Sequence, residues 1–467
     1  MKTKNAWDKY SESQKKKIFA FAEEYRKFIS ECKTERECVS EAVRLAEAGG
    51  YKNLEDIIAG NKKLKAGDKV YAVNMKKALL LFNIGSEPME TGLNILGAHL
   101  DSPRIDVKQN PLYEDNELVL LDTHYYGGIK KYQWVAREMA LHGVVALKNG
   151  KIIEINIGEK EDEPVFCVTD ILPHLAEQQM KKDGEHVVEG EDLNLLVGSM
   201  PEKRPEIKDE KHCGGELVKE KILSILKKQY KFEEEDFLSA ELEIVPAGPA
   251  RDCGFDSSMI MGYGHDDRVC SYPSLIAQLE SGNLKRTGVC ILVDKEEIGS
   301  VGATGMTSKF FENMVAEVMD RTGAYSELAL RRCLTNSKML SSDVSAAFDP
   351  NYPSFFEPKN AAYLGHGVVF NKFTGARGKS MSNDTSAEYL GELRRIMDKN
   401  HVSFQTAELG KVDVGGGGTI AYILAVYGMQ VIDSGVAVLN MHAPAEIISK
   451  VDLYEALNCY KAFLKDA

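Results

Sequence analysis

The sequence predicts an α/β layer fold interrupted by an inserted domain. Short apolar runs at residues 93–96, 289–293 and 435–439 read as buried strands, and each is followed by acids or histidines. Segments of helical period alternate with them. Between about residues 107 and 245 the alternation gives way to acidic and polar runs around short alternating segments. The expected division is a catalytic domain of residues 1–106 with 246–467, and an insert of residues 107–245.

In chain order, Ile18, Phe21, Ala22, Tyr25, Phe28 and Ile29 recur at helical spacing, so the N-terminus is an amphipathic helix. A second helix is expected over residues 37–47, stopped by Gly49 and Gly50. Short strands follow at residues 70–73, 78–84 and 93–96. In the insert, residues 151–157 and 238–245 alternate as strands do. The charged runs at 158–163, 181–192, 201–211 and 233–236 read as solvated faces. A helical pattern covers 274–279 and a strand 289–293. No internal repeat is present. Gly415 to Gly418 lack the Lys and Ser/Thr that would make them a phosphate cradle, so a tight turn is expected.

Composition excludes several classes. The 467 residues include 43% hydrophobic types, enough for a large core, and carry a net charge of −13. A nucleic-acid binder has a basic footprint, which this chain lacks. The nine cysteines are scattered with no C-x-x-C, which fits neither a disulfide framework nor a zinc knuckle. Residues 1–17 show no signal-peptide core, and the longest apolar tract, 420–432, is too short and Gly-interrupted to span a membrane. A soluble cytoplasmic protein is expected.

Five clusters follow inferred strand ends. Asp294-Lys295-Glu296-Glu297 follows the 289–293 run and precedes a Gly-rich turn. Neighbouring side chains on extended backbone point opposite ways, so one carboxylate can grip a metal while the other faces a water. A solvated acidic pair is the plain alternative. His99 and Asp101 follow the 93–96 run as a ligand and its orienting carboxylate, or as a turn with an N-capping Asp. His265-Asp266-Asp267 reads as a third cluster, or as a helix start where acids are favoured. Asp343 and His442 complete the set. A lone His after a strand is usually structural. Five such clusters at strand ends point instead to the crevice where open α/β sheets bind ligands.

These residues resemble the aspartyl aminopeptidase family, metallopeptidase family eighteen, over nearly the whole chain. The resemblance rests on Gly97-Ala98-His99-Leu100-Asp101-Ser102-Pro103, Tyr126-Gly127-Gly128, Leu172-Pro173-His174-Leu175-Ala176, and Asp267 with Ser271. It continues through Asp294 to Ser300, Ser341-Ser342-Asp343-Val344 with Pro350-Asn351-Tyr352-Pro353, and Gly418-Thr419-Ile420. Asp433-Ser434-Gly435 running to Met441-His442 closes it. The resemblance implies a zinc aminopeptidase with a mixed sheet between helices and an inserted, mostly-β dimerisation domain. It implies two zinc ions per subunit, with cobalt or manganese also compatible with such ligands. Asp267 would bridge them, Glu297 and His442 completing one site and His99 and Asp343 the other. Glu296 would be the general base, Asp101 would orient His99, and peptides would be the substrates. The family assembles as homo-oligomeric shells, commonly dodecamers. In such a shell a His of the insert, here His174, reaches a neighbouring subunit's site; a structural residue after Pro173 and a third metal-ligating His are the other readings of His174.

Three departures bear on specificity. The family pattern places His where Ala346 and Asp349 stand, a Lys near Asn371, and a further His at Gln178. A weaker preference for N-terminal Asp or Glu is therefore expected. The competing readings are an amidohydrolase or deacylase on the same fold, and a non-catalytic shell protein.

Overall fold

The computed structural model describes residues 4–202 and 216–467. The charged run at 201–211 lies almost wholly outside them. The chain forms two compact units. One comprises residues 4–102, Ala250–Met441 and Ala445–Ala467; the other comprises Pro103–Pro249 with His442–Pro444. The division falls a few residues outside the boundaries expected from composition. Strands Arg104–Asp115 and Ala240–Pro246 pair through Ile105↔Ile244 and Asp106↔Glu243, which draws both edges of the segment into one sheet.

The larger unit opens with helices α1 (Glu12–Glu31) and α2 (Glu35–Ala48). A capping box between Thr34 and Glu37 starts α2, and Gly49 ends it. Strands β1 (Lys52–Asn53), β2 (Lys69–Asn74), β3 (Ala78–Asn83) and β4 (Leu93–His99) follow. After the other unit come α3 (His265–Glu280), β5 (Thr287–Val293), α4 (Phe310–Thr322), α5 (Glu327–Thr335) and β6 (Lys338–Ser341). Then come β7 (Val368–Asn371), α6 (Ala387–Lys399), β8 (Phe404–Thr406), β9 (Gln430–Gly435) and α7 (Lys450–Asp466).

Among the described residues the main sheet has nine strands, in the order β1-β2-β3-β5-β4-β6-β9-β7-β8. Strands β5, β4, β6 and β9 run parallel, while β3 and β7 oppose their inner neighbours, so the sheet is mixed. Every residue of β4 and β5 is buried, because helices cover both faces. One apolar layer joins Leu96, Ala98 and Leu292 to α1, α2, α3, α6 and α7. The other joins Ile95, Ile291 and Met339 to α4 and α5. In register, Val293 sits beside His99, Gly97 beside Ser341, and Ser341 beside Asp433. The carboxyl ends of the four parallel strands therefore share one edge.

The second unit is a seven-stranded antiparallel sheet among the described residues, with a helix at Leu217–Ile225. No described helix is long and apolar enough to cross a membrane.

Candidate metal centre

Strand geometry delivers the first group. His99 is the last residue of β4, and its register partner Val293 ends β5 just before Asp294. Lys295 then takes a left-handed conformation, and Glu296 and Glu297 enter a short 3₁₀ turn. Asp101, fully buried, holds that turn: its two carboxylate oxygens accept the Glu296 and Glu297 backbone N–H groups, each at 3.1 Å. The Asp101 carbonyl lies 3.0 Å from His99 Nδ1 and its carboxylate 3.4 Å. Asp101 therefore contacts the imidazole and holds the backbone of the glutamate pair.

Asp266 and Asp267 precede the regular turns of α3; neither has helical dihedrals, and the peptide between them is cis. The Asp266 N–H donates to Glu446 at 3.0 Å, and its carbonyl accepts from the Ser102 hydroxyl at 2.6 Å. So held, Asp266 Oδ1 lies 3.2 Å from His99 Nε2. Asp267 Oδ2 accepts the His99 backbone N–H at 3.4 Å, and Oδ1 is buried without a hydrogen-bond partner among the described residues. Asp343 follows β6 by two residues.

Donor atoms of these residues converge in three overlapping groups, each within 4.8 Å: His99 with Glu296 and Asp343, His99 with Asp266 and Glu297, and Asp266 with Asp267 and Asp343. The electrostatics match a cation site. Burial raises the Asp267 and Asp343 carboxyls well above their ordinary range, and neighbouring carboxylates add to the rise. Burial alone would lower the His99 imidazole. Hydrogen bonds to Asp101 and Asp266 and the fields of Glu296 and Asp267 outweigh it, so the imidazole is raised. One imidazole and several carboxylates are a donor set that zinc accepts.

Sequence reading picked out Asp267 and passed over Asp266, which enters two of the three groups. It also missed Glu446, whose position at the start of the strand Glu446–Ser449 carries no local signal. His442 is grouped with the second unit, where its Nδ1 lies 2.7 Å from the Gly128 carbonyl. His174 occupies an exposed 3₁₀ turn, Pro173–Leu175, of that same unit. Asn371 is buried at the end of β7, and Ala346 lies in a two-residue strand.

The sequence profile of the M18 family, described as aminopeptidase I zinc metalloprotease, matches residues 28–464. The chain belongs to this family of zinc aminopeptidases. A probable M18 family aminopeptidase 1 of Clostridium acetobutylicum is 62% identical over 99% of this chain and 98% of its own. The crystal structure of an M18 aminopeptidase from Thermotoga maritima, 42% identical, covers 100% of both chains with a TM-score of 0.94. That of aminopeptidase I from C. acetobutylicum covers 100% of this chain and 99% of its own, with a TM-score of 0.91 and 59% identity. A protein of S. cerevisiae solved as a dodecamer has the same fold, with a TM-score of 0.73 at 20% identity over 95% of this chain and 96% of its own.

Proposed function

We propose that this chain is an aminopeptidase whose site holds two zinc ions, and that Asp266 rather than Asp267 bridges them. The observation that carries this reading is the place of Asp266 in two donor groups, one with His99 and Glu297 and one with Asp267 and Asp343. Bound zinc would polarise the scissile carbonyl and acidify an attacking water. His99, Asp266, Glu297 and Asp343 would hold the pair, with Asp267 locked beside them by the His99 backbone. His442 would add a second imidazole. Its Nδ1 hydrogen bond to the Gly128 carbonyl selects the tautomer with which Nε2 ligates a metal.

Glu296 acts as general base. It takes the proton of the attacking water and returns it to the leaving nitrogen. Asp101 supports that role, because its carboxylate sets the backbone from which Glu296 projects. A free substrate amine meets a cluster rich in carboxylates, which favours removal of N-terminal residues. Ala346, Asp349 and Asn371 supply no cation, so preference for N-terminal Asp or Glu is weak.

The second unit is an oligomerisation domain of a homo-oligomeric shell, a dodecamer by likeness to the yeast structure. Exposed Ile171, Leu172, Leu175 and Met180 surround His174, an apolar surface suited to a second copy. His174 acts in that copy's site. A cytoplasmic setting fits the eight described cysteines, all free.

The test is a panel of aminoacyl anilides with free and N-acetylated amino groups, read with zinc content. Hydrolysis confined to free amines is expected. Preference for acylated substrates would favour a deacylase, and metal-free inactive protein would favour a shell without chemistry.

A further inference from the structure

One buried acid on the larger unit is not used by this chemistry. Asp433 lies on β9, in register with Ser341 of β6 on one side and Asn371 of β7 on the other. The residue is 1% exposed. Oδ1 accepts the Thr419 hydroxyl. Oδ2 is buried without a hydrogen-bond partner among the described residues, and so is the neighbouring Asn371 Oδ1. A buried acceptor left without a donor is costly, and more so when charged. Lys372 and Lys379, which follow Asn371 in sequence, are both turned to Asp384.

The position relative to the metal centre is informative. Gly97, Ser341 and Asp433 form one row across β4, β6 and β9. His99 and Asp343 stand two residues beyond Gly97 and Ser341, at the strand edge. At ~3.3 Å per residue, Asp433 is ~7 Å deeper along the strands than the metal-binding row. That depth matches an extended lysine or arginine side chain on a residue whose carbonyl lies at the edge. Glu296 is among the groups that raise the Asp433 carboxyl, after burial, to about 7, so the acid lies within the field of the proposed base. Thr419 is half-buried, and four glycines precede it, so the backbone that reaches Asp433 brings no bulky side chain.

We infer that Asp433, with Asn371 beside it, is a specificity-determining acceptor that selects substrates whose N-terminal residue is lysine or arginine. This rests on the aminopeptidase reading above. The ammonium or guanidinium would donate to Asp433 Oδ2 and Asn371 Oδ1.

The test compares kcat/KM for Lys, Arg, norleucine and Leu p-nitroanilides. Norleucine keeps the lysine stem and drops the charge. Lysine should exceed norleucine by ~10–100-fold, the range of one charge-assisted hydrogen bond. Asp433→Asn should cut the lysine value at least ten times more than the norleucine value. Equal wild-type values for lysine and norleucine, or equal losses in the variant, would overturn the inference. Product inhibition of the wild-type enzyme needs no variant: free L-lysine should inhibit more tightly than L-norleucine, and equal inhibition counts against the pocket. Failure to cleave any free-amine substrate would sink the aminopeptidase reading instead. Calorimetry with the same two amino acids would still decide the pocket.

Discussion

At the scale of single residues, the proposed chemistry gives the neighbours Glu296 and Glu297 different work. Both backbone N–H groups rest on Asp101, so a change in either side chain leaves the turn in place. Glu296→Gln should keep its zinc and lose ~10²–10⁴-fold in kcat, the usual contribution of a general base. Glu297→Gln should lose zinc as well as turnover. Elemental analysis beside steady-state kinetics checks both, and near-wild-type kcat in Glu296→Gln would require another base. The pair was legible from the sequence because an apolar strand, two acids and a Gly-rich turn follow one another. The choice between Asp266 and Asp267 was not. Adjacent aspartates at a helix start are chemically equivalent in sequence. They part only where Glu446 and Ser102 hold the backbone N–H and carbonyl of Asp266 and the His99 N–H holds the carboxylate of Asp267.

Elements carry the site by where they stop. β9 ends at Gly435, and a Cβ built there would overlap the carbonyl of Asp343. Gly435→Ala should therefore push Asp343 off its position, lowering zinc occupancy. Stability should fall by an amount typical of core overpacking, ~1–3 kcal/mol, read by urea denaturation. Unaltered zinc content in a folded Gly435→Ala would count against Asp343 as a ligand. Strands β4 and β5 were readable because burial on both faces leaves apolar runs; the 435–439 run instead begins at the last residue of β9 and continues as a separate strand, Ala437–Leu439, because Gln430, Asp433 and Ser434 break the apolar pattern of β9. α3 was read only from 274, since its buried first turns carry His265, Asp266, Asp267 and Arg268, which look solvent-facing in isolation.

α7 offers a pH prediction. Asp452 is buried and accepts the backbone N–H groups of Gly365 and Gly367 at 2.6 and 2.7 Å. Burial nevertheless pushes its carboxyl up to about 8. An unfolded Asp titrates near ~3.9, so the folded chain holds this proton more tightly. The contribution is full below about pH 4 and is lost as pH rises toward about 8. The stability of wild type minus Asp452→Asn should fall between pH 5 and pH 8, by at most ~1.4 kcal/mol per unit. A flat difference would mean that Asp452 is ionised throughout.

For the whole molecule, catalysis and assembly are coupled if His174 serves a neighbouring copy. His174→Ala and Glu296→Gln should each be nearly inactive alone, yet regain activity when their subunits exchange in a mixture. A mixture that stays inactive after exchange is proven by mass spectrometry would confine His174 to its own subunit. This coupling could not be read from periodicity, because an exposed His in the short turn Pro173–Leu175 carries no local sign of what covers it. Only the apolar residues around it on the surface of the second unit give it a context.

The proposed site holds two ions with Asp266 as their shared ligand. Its most direct test is a zinc titration of chelator-treated protein, with bound metal counted by native mass spectrometry and leucine anilide hydrolysis followed in the same samples. Wild type should bind two ions per chain and reach full activity only at the second, while Asp266→Asn should lose occupancy of both. Full activity without metal or at one ion per chain, or two tightly bound ions in Asp266→Asn, would contradict the account.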